Sequence, residues 1–154
     1  MFASHSLSLK SRALRALAAR EHSRAELVRK LASFETEEGE LERVLNDLAA
    51  KGFIDEQRVA ASVAYRRGAK LGTARIVQEL KAKGVAPEAI SDAAAQLKTT
   101  ELERARDVWR KKFGTPAANA AERGKHMRFL AGRGFSGEVI RKAMGGCDLD
   151  EEGE

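Results

Sequence analysis

Apolar residues recur along nearly the whole chain at intervals of three and four, the spacing of helices buried on one side. "HSRAEL" predicts a capping box: the Ser23 hydroxyl takes the backbone N–H of Glu26, and the Glu26 carboxylate reaches back. Leu27 and Leu31 then share a face. Thr36 is the expected cap of the next helix, with Glu37 and Glu38 in its first turn and Leu41, Val44, Leu45 and Leu48 on one stripe. Gly52 supplies a left-handed stop and Asp55 a new cap, with Ile54 and Val59 placed as a hydrophobic staple. Val63 continues that face to Gly68. Thr73 opens a helix carrying Ile76, Val77 and Leu80, which Gly84 ends, and Pro87 fits the first position of one carrying Ile90, Ala93, Ala94 and Leu97. Thr100 and Glu103 read as a second capping box, starting a helix with Leu102, Ala105, Trp109 and Phe113 that stops at Gly114. Thr115-Pro116 starts another, with Met127 and Leu130. Ser136 caps the last, with Val139, Ile140 and Met144 before Gly145-Gly146. The pattern predicts an all-α chain of about nine helices and no strand.

Those helices fall into three sets. Leu31, Leu80 and Leu130 are spaced by 49 and 50 residues, and each is followed ten positions later by Leu41, Ile90 or Ile140. "ELKAKGVAPEAI" superposes on "FLAGRGFSGEVI" without a gap, Gly84 on Gly134 and Val85 on Phe135, whereas the first copy has Glu35 at the glycine position. A period near 50 residues means stacked supersecondary units, none able to bury its apolar face alone. The expected division is an N-terminal tail 1–7, three-helix repeats 8–54, 55–99 and 100–146, and an acidic, disordered tail 147–154.

Composition agrees with helices and excludes several classes of function. Ala, Leu, Glu, Arg and Lys dominate, aromatics are few, and no apolar run is long enough for a membrane span. A solitary Cys147 and the lack of an export signal point to the cytoplasm. His5, His22 and His126 are scattered, read as cap-adjacent or surface residues, and give no metal-ligand spacing. Gly124-Lys125 lacks the glycine of a phosphate loop, and Gly132-Arg133-Gly134 follows a helix where a dinucleotide fingerprint would follow a strand. No catalytic constellation, cofactor or metal is expected.

Charge changes the picture most. The net charge is +5, yet residues 147–154 contribute −5, and the positive excess rises along the body to +6 over residues 101–146. Such a gradient favours a polyanion, or a protein assembled on one, as partner. The candidate contact residues are Arg66, Arg67, Lys70, Arg75, Lys81 and Lys83, with Arg106, Arg110, Arg123, Lys125, Arg128 and Arg133. Three readings remain open at this point: a protein-interaction regulator, an autonomous DNA-binding helix-turn-helix protein, and an adaptor unconnected with nucleic acid. Base reading is disfavoured because the last helix begins Ser136-Gly137-Glu138, a poor start for contacting base edges. Tyr65 offers a stacking surface; Trp109 fits the core stripe instead.

The order and spacing of "HSRAELVRKL", "KGFIDEQRVAASVAYRR", "LGTARIVQELKAKGV" and "RFLAGRGFSGEVI" resemble the RecX family of bacterial regulators over roughly residues 8–146. Glu56 stands where the family usually has Asp, and Val59 where an aromatic is common, both conservative for a cap and a staple. The resemblance implies three tandem three-helix repeats in an elongated, curved array with no catalytic activity. It implies a partner too: the RecA recombinase and its filament on single-stranded DNA, whose ATPase, strand exchange and growth such proteins mainly inhibit. Weak, sequence-blind DNA binding and a monomeric state complete that expectation. Ser23, Gly52, Asp55, Gly84, Gly134 and Phe135 take architectural roles in this reading.

Overall fold

A computed structural model describes residues 7–146; the tail 1–6 with His5, and the acidic tail 147–154 with Cys147, lie outside the described residues. Eight α-helices and no strand occur among those described. They are α1 (Leu9–Ala19), α2 (Arg24–Leu31), α3 (Glu40–Ala50), α4 (Glu56–Gly68), α5 (Thr73–Ala82), α6 (Pro87–Lys112), α7 (Ala120–Gly132) and α8 (Gly137–Arg141). A wide turn over Lys142–Gly146 follows α8.

Most starts and stops are the expected local chemistry. Ser23 and Glu26 form the reciprocal box, while Asp55 and Ser136 accept the backbone N–H three residues on. Pro87 occupies the first turn of α6. Three starts differ. Thr36 is not a cap: α3 begins behind Gly39, and the Glu40 carboxylate turns back to take both the N–H and the hydroxyl of Thr36. Thr115-Pro116 is bypassed, because Asn119 caps α7 through the N–H of Glu122.

The third difference is larger, for the sixth and seventh expected helices are one helix of 26 residues, about 39 Å long. Leu97, Glu101, Ala105 and Val108 form an unbroken buried stripe through the presumed break. A cap at Thr100 would be worth about 1 kcal/mol, less than the burial that continuity secures. Instead the Thr100 hydroxyl bonds back to the Leu97 carbonyl, a bond that helix geometry accommodates.

Three separate cores result. Leu9, Ala13, Leu27, Leu31, Leu41, Leu45, Leu48 and Ile54 close the first, from α1 to α3. Val59, Val63, Ile76, Leu80, Val85 and Leu97 close the second around α4, α5 and the first half of α6. Ala105, Val108, Leu130, Phe135 and Ile140 close the third around the rest of α6, α7 and α8. Ile54 and Val59 lie in different cores, so they do not pack as a staple.

The units join head to tail by one repeated device. Each places the N-terminus of its second helix against the turn between the second and third helices of the next unit. At the first junction the Ser23 hydroxyl donates to the Lys83 carbonyl at 2.5 Å, and Arg29 to the Ala82 carbonyl at 3.1 Å. At the second the Gly72 N–H donates to the Arg133 carbonyl at 2.7 Å, and Arg75 to the Gly132 carbonyl at 2.6 Å. The accepting carbonyls are equivalent by the 50-residue period. Gly84 (φ +69°) and Gly134 (φ +96°) turn these corners left-handed, where a side chain is strained. A Cβ on either would also lie within 3.0 Å of the helix pressed against it, at Ala25 and Arg75 respectively.

Candidate partner-binding surface

The basic candidates divide by what each guanidinium or ammonium already touches. Arg66 and Arg67 both reach Glu79, at 3.5 and 2.9 Å. Lys83 faces Glu26 at 3.7 Å and Arg110 holds Asp107 at 2.9 Å. Arg75 is spent on the second junction, and the Arg133 guanidinium lies 4.9 Å above the Phe129 ring. Arg106 is half-buried and engaged. The remaining five, Lys70, Lys81, Arg123, Lys125 and Arg128, are exposed and have no partner among the described residues. Arg123, Lys125 and Arg128 share α7, where their charge stands uncompensated. The structure thus commits Arg66, Arg67, Arg75 and Lys83 to acceptors within the fold and leaves α7 with three exposed cations that have no such partner.

Exposed pairs such as Arg110–Asp107 are worth little and exchange readily with a partner's carboxylate or phosphate. The Glu26 site is tighter. Burial alone would raise that carboxyl's pKa, but the Arg20 guanidinium at 2.9 Å, the Ser23 N–H at 3.0 Å and nearby Lys83 together hold it below the ordinary range. Beside it His22 is buried, and desolvation lowers its pKa despite the Nδ1 contact with the Arg20 carbonyl at 3.0 Å.

Two carboxylates that the sequence pattern did not single out for this role organise the junctions. Glu56 accepts the N–H of Arg24 at 3.0 Å and of Ala86 at 2.8 Å, so it bridges the first two units. Glu101 is buried and accepts the N–H of Thr73 at 3.0 Å at the same point of the second junction. Each is placed at the positive end of the preceding unit's second helix. Next to Glu101, Arg104 donates to the carbonyls of Leu71, Leu97 and Gly68 at 2.6, 2.9 and 3.1 Å. Burial draws its pKa down, against the pull of Glu101. Equivalence could have flagged both acids: Glu56, Ala60 and Val63 on α4 match Glu101, Ala105 and Val108 on α6 at a constant offset.

The terminal units carry carboxylate contacts of their own. Glu35 in the first unit replaces the corner glycine and accepts the N–H of Leu41 at 2.8 Å. In the third, Glu122 reaches back past the Asn119 cap and accepts the N–H of Ala118 at 2.8 Å. His126 is neither a cap nor a surface residue. It stands at the repeat position of Leu27 and Ile76, buried, accepting the Trp109 indole N–H at 3.1 Å and stacked on Phe113 at 3.7 Å. That spends Trp109 inside the third unit, whereas Tyr65 is 91% exposed.

Among the described residues there is no cluster of metal-ligating side chains, and no helix is long and apolar enough to cross a membrane. Three small helical units locked head to tail, with exposed cations and structural carboxylates at the junctions, define an all-α tandem-repeat protein. The chain belongs to the RecX family: models of the first, second and third RecX three-helix domains match residues 10–48, 55–93 and 99–144. It is 52% identical to the regulatory protein RecX of Leptothrix cholodnii over 95% of this chain and 93% of that one. With the protein of the same name from Herminiimonas arsenicoxydans it shares 45% identity over 95% of this chain and 97% of that one. A crystal structure of a regulatory protein RecX superposes with a TM-score of 0.72 at 26% identity, covering 88% of this chain and 70% of the other. The RecX fold of Lactobacillus salivarius gives 0.78 at 20% identity, over 92% and 95%. RecX proteins modulate RecA, and the present chain is a regulator of that kind.

Proposed function

We propose that this protein lies along the RecA filament on single-stranded DNA, touches more than one RecA subunit, and mainly inhibits ATP hydrolysis, strand exchange and filament growth. The supporting observation is the uncompensated charge of Arg123, Lys125 and Arg128 on exposed α7, reinforced by Lys70 and Lys81, which meets an acidic protein surface or a phosphate backbone. Arg66, Arg67, Lys83, Arg106, Arg110 and Arg133 contribute to the same contact, with Arg75 behind them committed to the second junction. Repeats 8–54, 55–99 and 100–146 act as three successive contact units. A ligand that bridges subunits alters a filament only by binding its conformational states unequally. Binding to free DNA is weak and sequence-blind, and the protein is a cytoplasmic monomer.

The test is RecA's DNA-dependent ATPase with pure RecA and single-stranded DNA, titrated with this protein and with a triple variant, Arg123→Glu, Lys125→Glu and Arg128→Glu. Inhibition by the natural sequence and its loss in the variant are expected. Tight, sequence-selective duplex binding with no effect on the ATPase would instead establish an autonomous helix-turn-helix protein.

A further inference from the structure

Each junction leaves an open cleft, and the two clefts are the same site one repeat apart. The first is floored by Ala25, Val28, Gly84 and Ala86, the second by Ala74, Val77, Gly134 and Ser136. These residues correspond one to one at offsets of 49 on the helix side and 50 on the corner side. Val28 remains 41% exposed and Ala74 is exposed, so both floors are open to a partner.

Each rim sets a cation beside a carboxylate, Arg29 with Glu56 at the first cleft and Lys98 with Glu101 at the second. Glu56 and Glu101, the carboxylates that line them, are committed to backbone N–H groups of the junctions. The cations are not neutralised in that way: Arg29 donates only to a carbonyl, and Lys98 has no partner among the described residues. An apolar floor beside such a cation suits an apolar side chain flanked by a carboxylate.

We infer that the clefts are paired sockets for one recurring protein element, a short acidic-apolar segment presented by successive subunits of the filament. The inference rests on the RecA-filament reading above. A ligand of single occurrence has use for one socket; a polymer offers the same segment again at its next subunit. Two engaged sockets then bind with avidity, because the second contact is made within a complex already formed.

The experiment compares Val28→Glu, Ala74→Glu and their combination in the RecA ATPase titration, with Val28→Lys and Ala74→Lys as counterparts of opposite charge. Each glutamate is expected to raise the half-inhibitory concentration about 10-fold, and the pair about 100-fold or more. The lysine variants are expected to lose clearly less, which mere disruption of the surface would not produce. Should a glutamate variant melt prematurely by circular dichroism, Val28→Ser and Ala74→Gln read the same loss at smaller amplitude. Unchanged inhibition, an effect at one cleft alone, or equal losses for lysine and glutamate would overturn the paired sockets while leaving the filament reading standing. Failure of the natural sequence to inhibit at all would remove both.

Discussion

Replacing Gly134 by alanine tests whether the corner glycines exist for the junction rather than for the turn alone. Two costs are expected. The residue sits at φ +96°, where an L side chain costs about 1–2 kcal/mol. The new methyl would also lie within 3.0 Å of the backbone and side chain of Arg75, so α5 must back away from the corner. That separation breaks the Gly72-to-Arg133 and Arg75-to-Gly132 hydrogen bonds, worth about 1 kcal/mol each. The sum is about 3–4 kcal/mol, and Tm should fall by roughly 6–16 °C for a protein of this size. Three other glycines separate the terms. Gly52→Ala carries the strain without the contact, since φ is +83° and its Cβ meets nothing within 4 Å, and should cost about 1–2 kcal/mol. Gly72→Ala carries the contact without the strain, its Cβ falling within 3.0 Å of the Gly134 carbonyl. Gly132→Ala carries neither and should stabilise by about 0.5–1 kcal/mol, the helix preference of alanine. Urea melts followed by circular dichroism and by Trp109 fluorescence, which reports the third unit, read all four. The reasoning fails if Gly134→Ala costs no more than Gly52→Ala, or if Gly72→Ala is neutral.

Glu101→Ala should destabilise by about 1–3 kcal/mol, since it orphans the Thr73 N–H and removes the charge beside half-buried Arg104; Glu101→Gln, which keeps an acceptor, should recover part of this in the same urea melts. Acid should destabilise the fold around the start of α2 in two stages. His22 has a folded pKa below its ordinary 6.5, so its contribution is complete above that pH and declines as pH falls below it; Glu26, depressed from 4.5, holds its share above 4.5 and loses it as pH falls through its lower folded value. Thermal melts from pH 7 to pH 3 should follow that course, and His22→Gln should flatten its upper part. His126→Leu, which restores the aliphatic residue of the other repeats, should leave Tm within a few degrees because apolar burial offsets the lost indole hydrogen bond. His126→Ala should cost about 2–4 kcal/mol by emptying the space against Phe113. A neutral His126→Ala in calorimetry would refute the packing role.

Sequence alone determined what acts within a turn or two of helix. The Ser23, Asp55 and Ser136 caps, Pro87 at a first turn, the left-handed stop at Gly52 and the three-fold repeat were all legible. Each is a contest between backbone and side chain decided three or four residues away, or a pattern visible on superposing the chain on itself. Where two local signals competed, the tertiary structure chose. Thr100 had the chemistry of a cap, but the stripe from Leu97 to Val108 served two cores at once, and the helix ran through. The candidate surface was legible as composition and not as geometry. Nothing near Arg66 or Arg67 in the chain announces Glu79, and nothing near Arg75 announces the carbonyl of Gly132. Cations are sorted into struts and free contacts by partners far along the chain, because a long flexible side chain takes whatever acceptor the packing of helices brings within reach.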